Sequence, residues 1–220
     1  AGTEINLNLL GEFNIVNAMA AVAVGWSLDL RPATIKKGLE EVAGIPGRLE
    51  YIEAGQNFTV IIDYAFEPQA VTKLYQTAVG LSHNKIIHVL GSAGGGRDIA
   101  RRPQLGKLAG QNADYVIITN EDPYDDDPEI IIDQVALGAE QEGKKNGIDL
   151  FKITDRRAAI NRAISLAAEG DLVLITGKGS EQAICVADGK KIPWDDRLEV
   201  KEAIKNKKQS LSVDKQLYIE

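Results

Sequence analysis

One cysteine, one methionine and two histidines occur in the 220 residues, and aromatic side chains make up only 5% of them. A single Cys excludes an intramolecular disulfide and any multi-cysteine metal cluster. With His88 inside the apolar run KIIHVL and His83 in a loop, a zinc site is not expected. His88 reads as a buried strand residue and Cys185, in an apolar strand, as inert. No apolar run approaches the ~20 residues that span a bilayer, and no basic-then-apolar leader opens the chain. Basic residues are in deficit, 25 against 32 acidic ones, for a net charge of −7. That field repels phosphate, so neither nucleic acid nor an anionic membrane is an expected partner. A nucleotide site stays compatible, because a few local Arg and backbone N–H groups suffice for it. A cytoplasmic protein is expected.

What is present is an ordinary 44% of apolar residues and 21 glycines, enough chain for one large domain or a domain plus part of another. Residues 3–10 (TEINLNLL) alternate apolar and polar side chains, as a half-buried strand does. Residues 13–26 (FNIVNAMAAVAVGW) are apolar almost all round, which predicts a helix buried between other elements. A second helix is expected over 31–42, with Pro32 in its first turn. One strand and two helices cannot bury themselves, so the chain is expected to begin inside a domain, with residues 44–47 (GIPG) as a linker.

After that linker the rhythm changes. Strands are expected at 49–53, 58–63, 85–90, 115–119, 150–153 and 172–176, and helices at 68–80, 102–112, 128–143 and 156–168. This alternation predicts an α/β fold with a mainly parallel sheet. Residues 49–63 read as an edge hairpin and 183–192, split by Asp188-Gly189, as a second small hairpin. A last helix should start near Asp195 and fray into a Lys-rich tail.

In such sheets ligands bind beyond the carboxyl ends of the strands. Four loops stand there: at Asp63, at GSAGGGRD (91–98), at NEDPYDDDP (120–128) and at GKGSE (177–181). The Gly-rich loop with Arg97 and Arg101-Arg102 suits an oxyanion. Glu121, Asp122, Asp125 and Asp126, carboxylates at a strand end, suit a substrate amine, whereas Asp127 before Pro128 reads as a helix cap. GKGS is not a Walker A loop: that motif needs Gly at 172 and Ser or Thr at 179, where Leu172 and Gly179 stand.

Together these blocks resemble the Mur ligases, in particular their UDP-N-acetylmuramyl-tripeptide synthetase branch. GEFNIVNAMAA resembles the family's G-x-F-N-x-x-N-A-x-A-A helix, and GIPGRLE its V-P-G-R-x-E junction. VIIDYAFEP resembles V-D-Y-A-H-T-P, and GSAGGGRDIARRP resembles G-x-x-G-G-x-R-D-x-x-K-R-P. NEDPYDDDP falls where the family carries D-N-P-R-x-E-D-P, and GKGSE where it carries G-K-G-H-E. The resemblance implies that residues 1–46 are the end of a central ATP-binding domain and 47–220 a carboxy-terminal Rossmann-like domain. The P-loop domain and an amino-terminal domain would then lie outside this chain, as partners in the same protein, and the fragment alone would be inactive.

The implied reaction converts ATP to ADP and phosphate while joining an amino acid to the D-Glu of UDP-MurNAc-L-Ala-D-Glu through an acyl phosphate. It implies ATP and magnesium, the ion being held mostly by residues outside this chain. Asn14 and Asn17 would flank the adenine, Arg48 would reach the phosphates, and Asp63 would hold the ribose. Arg97 would be catalytic, contacting the amino-acid carboxylate or the developing phosphate. Glu121, Asp122, Tyr124, Gly177 and Glu181 would complete the amino-acid site.

Three positions depart from the family pattern. Tyr124 replaces the Arg that pairs with the second carboxylate of meso-diaminopimelate, and with Asp125 and Asp126 adjacent the expected substrate is L-lysine or another basic amino acid. Phe66 and Ser180 each replace a His. A Mur-like ligase with another acceptor and a non-catalytic nucleotide- or amino-acid-binding module remain open. A nicotinamide oxidoreductase is disfavoured because Thr119-Asn120, not an acid, follows the strand after the Gly loop.

Overall fold

The computed structural model describes residues 2–217, with side chains to residue 210. Helices α1 (Phe13–Ser27) and α2 (Pro32–Glu40) precede the sheet. Strands β1 (Glu50–Tyr51), β2 (Thr59–Asp63), β3 (Ile86–Leu90), β4 (Tyr115–Ile118), β5 (Leu150–Lys152) and β6 (Leu172–Thr176) then form one sheet in the order β1-β2-β6-β3-β4-β5. β1 pairs antiparallel at the edge, and every other pairing in this sheet is parallel. β7 (Ala183–Cys185) and β8 (Lys191–Pro193) make the expected small hairpin. Asp188 and Gly189 both take positive φ in its turn, as a tight hairpin turn demands.

The strands are apolar on both faces because helices cover both. Ile86 and Leu90 of β3 face α3 (Pro68–Val79), α4 (Arg101–Asn112) and α5 (Pro128–Gln141). Ile87 and Val89, one residue out of phase, face α6 (Arg156–Leu166) and α7 (Asp196–Leu217). The period-2 alternation of the strand thus fills two separate cores. Pro68 and Pro128 open α3 and α5, and the Asp127 and Asp155 side chains accept from Glu129 N and Ala158 N to cap α5 and α6. His88 is fully buried, between Tyr75 Oη (2.6 Å) and Thr176 Oγ1 (3.0 Å). Burial lowers its imidazole to about 3, so it is neutral and structural.

Two expectations fail before residue 47. Residues 3–10 form no strand; they are tied to α2 instead, with Asn6 N–H donating to Glu40 Oε1 and Asn8 Nδ2 to Glu40 O. A strand needs a partner edge, and residues 3–10 pair with none of the described strands. Helix α1 forms where expected but is not buried: Val16 and Met19 are each 66% exposed and Trp26 69%. Gly25 meets Ile35 of α2, but no sheet underlies the pair. The last helix begins at Asp196 as expected, whereas the end of the expected fraying, at residues 218–220, lies outside the described residues.

Candidate active site

Each parallel strand delivers its following loop to the same edge, and these loops enclose two neighbouring depressions that share Tyr64, Phe66 and Glu67. The first, about 250 Å³, is lined by Phe13, Asn14, Arg48, Asp63 and Leu74 among others. Three of the four residues expected around a nucleotide meet here. The fourth, Asn17, is exposed one turn along α1 and reaches the cavity only through Asn14, to whose Oδ1 its Nδ2 donates at 2.9 Å. Asp63 ends β2, and its two oxygens accept from Leu49 N and Ala65 N, both at 2.7 Å. Burial raises its carboxyl; those two N–H bonds and the Arg48 charge oppose the rise. Arg48 is exposed and stacks on the Tyr64 ring at 4.5 Å.

The second depression, about 350 Å³, is lined by all six residues expected at an amino-acid site: Arg97, Glu121, Asp122, Tyr124, Gly177 and Glu181. They come from three loops separated by up to 84 positions in sequence, and only the sheet brings them together. Their partners differ. Asp122 is committed inside the protein, to the Lys178 ammonium at 2.8 and 2.9 Å and to Cys185 N at 2.7 Å. Glu181 binds the same ammonium at 2.7 Å and accepts from Tyr64 Oη at 3.0 Å. Burial acts to lower Lys178, but its bonds to Asp122 and Glu181 outweigh that and hold it above the usual lysine range.

Glu121 and Arg97 are the members left open. Glu121 is 4% exposed, its Oε2 has no hydrogen-bond partner, and burial pushes its carboxyl up to about 7 against the pull of Arg156. Room for it exists because Gly91 and Gly177 flank it. A Cβ on Gly177 would lie 2.3 Å from Glu121 Oε2, and the φ of +100° there also favours glycine. Arg97 is exposed on the Gly-rich loop, and among the described residues no hydrogen bond or ion pair engages its side chain. A free cation and a buried, partnerless carboxyl across one cleft suit a zwitterionic ligand.

Tyr124 takes a φ of +51°, and its ring packs where a Cβ on Gly95 would fall, 2.7 Å from Cδ2. Phe66 packs edge-on against Tyr64 and lies under the Arg101 guanidinium. Asp125 and Asp126 do not line the cleft. Asp125 accepts from Asp188 N at 2.9 Å, and Asp126 faces Arg102 at 3.5 Å, so neither carboxylate would touch a ligand in the cleft.

The family profile described as "Mur ligase, glutamate ligase domain" matches residues 47–179. The chain belongs to the Mur ligase family. It is similar to the "UDP-N-acetylmuramyl-tripeptide synthetase" of Roseiflexus sp., with 42% identity over 91% of this chain and 39% of that protein. Among solved structures it resembles a "UDP-N-acetylmuramoyl-L-alanyl-D-glutamate--2,6-diaminopimelate ligase", with 31% identity, a TM-score of 0.65, and coverage of 92% of this chain and 40% of that one. A Mycobacterium tuberculosis folylpolyglutamate synthase solved with ADP and AMPPCP matches with 26% identity and a TM-score of 0.63, over 80% of this chain and 39% of that one. The chain therefore spans about two fifths of the length of the relatives it matches.

Sequence reasoning about this Mur ligase does not single out Lys178, Tyr64 or Arg156, whereas Arg101, named with the Gly-rich loop, does line the cleft. Lys178 is within reach of sequence reasoning, since it stands in the GKGSE block between Gly177 and Glu181, both expected in the site. Arg156 and Arg157 also stood out in principle, because two cations in a first helical turn oppose the helix dipole and need a reason. Among the described residues no cluster of three or more His, Cys, Asp or Glu could hold a metal ion, so no step is assigned to the magnesium that the resemblance implies.

Proposed function

We propose that this Mur ligase is an ATP-dependent amide ligase of peptidoglycan precursor synthesis, adding an amino acid to the D-Glu carboxylate of UDP-MurNAc-L-Ala-D-Glu. What carries the reading is the gathering of Arg97, Glu121, Asp122, Tyr124, Gly177 and Glu181 in one cleft, next to the cavity of Asn14, Arg48 and Asp63. The names of the relatives and the nucleotides bound to the folylpolyglutamate synthase support the same class.

In this reading ATP phosphorylates the D-Glu carboxylate, because an acyl phosphate is a far better electrophile than a carboxylate. The amino acid's amine then attacks and phosphate leaves. Arg97 binds the amino-acid carboxylate and stabilises charge near the reacting centre. Glu121 receives the amine at the other end of the amino acid. Lys178 orients Asp122 and Glu181, and Asp63 and Arg48 hold the nucleotide with Asn14. Orientation of this kind can supply about 7–11 kcal/mol of the barrier reduction. Residues 1–220 alone lack a Walker A loop and are expected not to turn over.

The amino acid in this proposal is L-lysine or another basic one. Tyr124 carries that part, since a phenol offers no bidentate partner to a second carboxylate; Asp125 and Asp126 stand outside the cleft wall. The test is phosphate release by the full reading frame with ATP, magnesium and UDP-MurNAc-L-Ala-D-Glu. Release is expected with L-lysine and not with meso-diaminopimelate, and Tyr124→Arg should shift relative kcat/KM towards the latter by about tenfold or more. Release with meso-diaminopimelate alone keeps the ligase and overturns the specificity. Silence with every amine moves the weight to another acceptor or to a binding module.

A further inference from the structure

Arg156 opens α6 and is completely buried, as is its partner Asp196 at the start of α7. Its Nε and one terminal nitrogen grip the two Asp196 oxygens at 2.8 and 2.7 Å. The same fork then reaches the site edge of the sheet. It donates to Thr176 O at 2.8 Å and to Asn120 O at 3.3 Å. Thr176 is the last residue of β6, just before Gly177 and Lys178; Asn120 immediately precedes Glu121 and Asp122. Neighbouring Arg157 pairs with Glu199 on α7 but is 64% exposed, so that pair contributes little.

β4 and β6 do not touch. β3 lies between them, and the ladders that relate them through β3 stop at Ile118 and Ile175. Past those residues no ladder fixes the spacing of the two loops, which the Lys178–Asp122 ion pair and the Arg156 fork then join. Only a side chain with several donors in a rigid plane can bond both carbonyls and a carboxylate at once, which describes a guanidinium. Its charge also matters, since Arg156 is the cation that acts most strongly on Glu121.

We propose that Arg156, held by Asp196, is a positioning residue that sets the separation of the Glu121 and Lys178 loops and the charge of the cleft between them. This rests on the reading of that cleft as an amino-acid site. The charged and titratable groups acting on Glu121 are Arg156 from α6, Lys178 after β6, Arg101 from α4 and Asp122 beside it. Tyr64, Glu67, Arg97, Tyr124 and Glu181 complete the cleft wall.

Two variants of the full reading frame test this. Arg156→Lys keeps the charge and loses the fork. The double variant Arg156→Met with Asp196→Leu removes both charges and strands neither, so it should still fold where a single loss would leave a buried ion unpaired; a thermal melt checks this. For Arg156→Lys, KM for the amino acid is expected to rise about 10- to 100-fold, as a displacement of about 1 Å can cause. KM for ATP and the acid limb of the pH profile should stay in place. For the double variant the acid limb should also move up, by less than about one pH unit, because the Arg156 charge favouring ionised Glu121 is gone and the loss of Asp196 offsets only part of that.

The Glu121 carboxyl is followed directly by carbon NMR of glutamate-labelled protein, assigned with Glu121→Gln, and needs no turnover. A folded double variant with an unmoved Glu121 titration, or Arg156→Lys with the wild-type amino-acid KM, overturns the proposal. A raised titration in a protein that turns over no amine supports the Arg156 contact and sinks only the substrate assignment.

Discussion

His88 and Glu121 are both buried titratable groups, and they act on stability in opposite directions. His88 is lowered to about 3 in the folded state, against about 6.5 when unfolded. Below pH 6.5 the unfolded chain takes a proton that the native state refuses, so stability falls with pH down to about 3, at up to ~1.4 kcal/mol per pH unit. Glu121 is raised from 4.5 to about 7. The native state holds the extra proton there, so its contribution is complete below pH 4.5 and is lost as pH rises to about 7. Between pH 4.5 and 6.5 the two slopes nearly cancel. Urea unfolding at pH 4.5 and 6.5 should therefore show Glu121→Gln losing stability on acidification relative to wild type, and His88→Gln gaining it. Parallel curves for all three proteins would mean that neither shift exists. His88 was legible in sequence as a core residue, because an apolar strand surrounds it. The Glu121 shift was not, because it comes from Gly91 and Gly177 closing around it from distant strands.

Helices α4 and α5 meet through glycine. A Cβ on Gly106 would lie 1.8 Å from Val135 O, and one on Gly138 would lie 1.9 Å from Pro103 O. The backbones touch, so no side chain fits without moving a helix. Gly106→Val should destabilise by ~3 kcal/mol or more, at or beyond the upper end of overpacking costs, read as a lower urea midpoint. A midpoint within experimental error of wild type would show that the helices can separate freely. Both elements were legible in sequence to within two residues, thanks to Pro128, Asp127 and the helical spacing. Their closeness was not, since a glycine inside a helix only weakens the local expectation of helix. The strand expected at 3–10 failed for the complementary reason: alternation describes a face, but the partner edge must come from elsewhere.

Both cores of the molecule draw their buried members from Leu49 onward, and among the described residues before residue 47 only the partly buried Leu10 packs against either. A chain starting at Gly47 should accordingly keep its cooperative unfolding, with a Tm within a few degrees of the whole chain. Loss of the transition would make residues 2–46 part of the fold. The apolar face of α1, with Val16, Met19 and Trp26 exposed, marks that segment as lacking the packing that its composition calls for.

The order of elements, the parallel sheet, the edge hairpin and the loops at its carboxyl edge were determined by sequence alone, while the individual residues expected in the cleft came from the family resemblance. The former depend on local chemistry: β-rich runs, proline and aspartate at helix starts, and glycine and charge where strands end. Tertiary structure alone decided which of those residues remain free to bind. Asp122 and Glu181 are occupied by Lys178, Asp125 and Asp126 turn to other partners, and Glu121 and Arg97 stay open. A carboxylate's availability depends on which cation the fold brings within hydrogen-bonding reach, and here Arg102 lies 24 positions from Asp126 and Lys178 lies 56 from Asp122 but only three from Glu181.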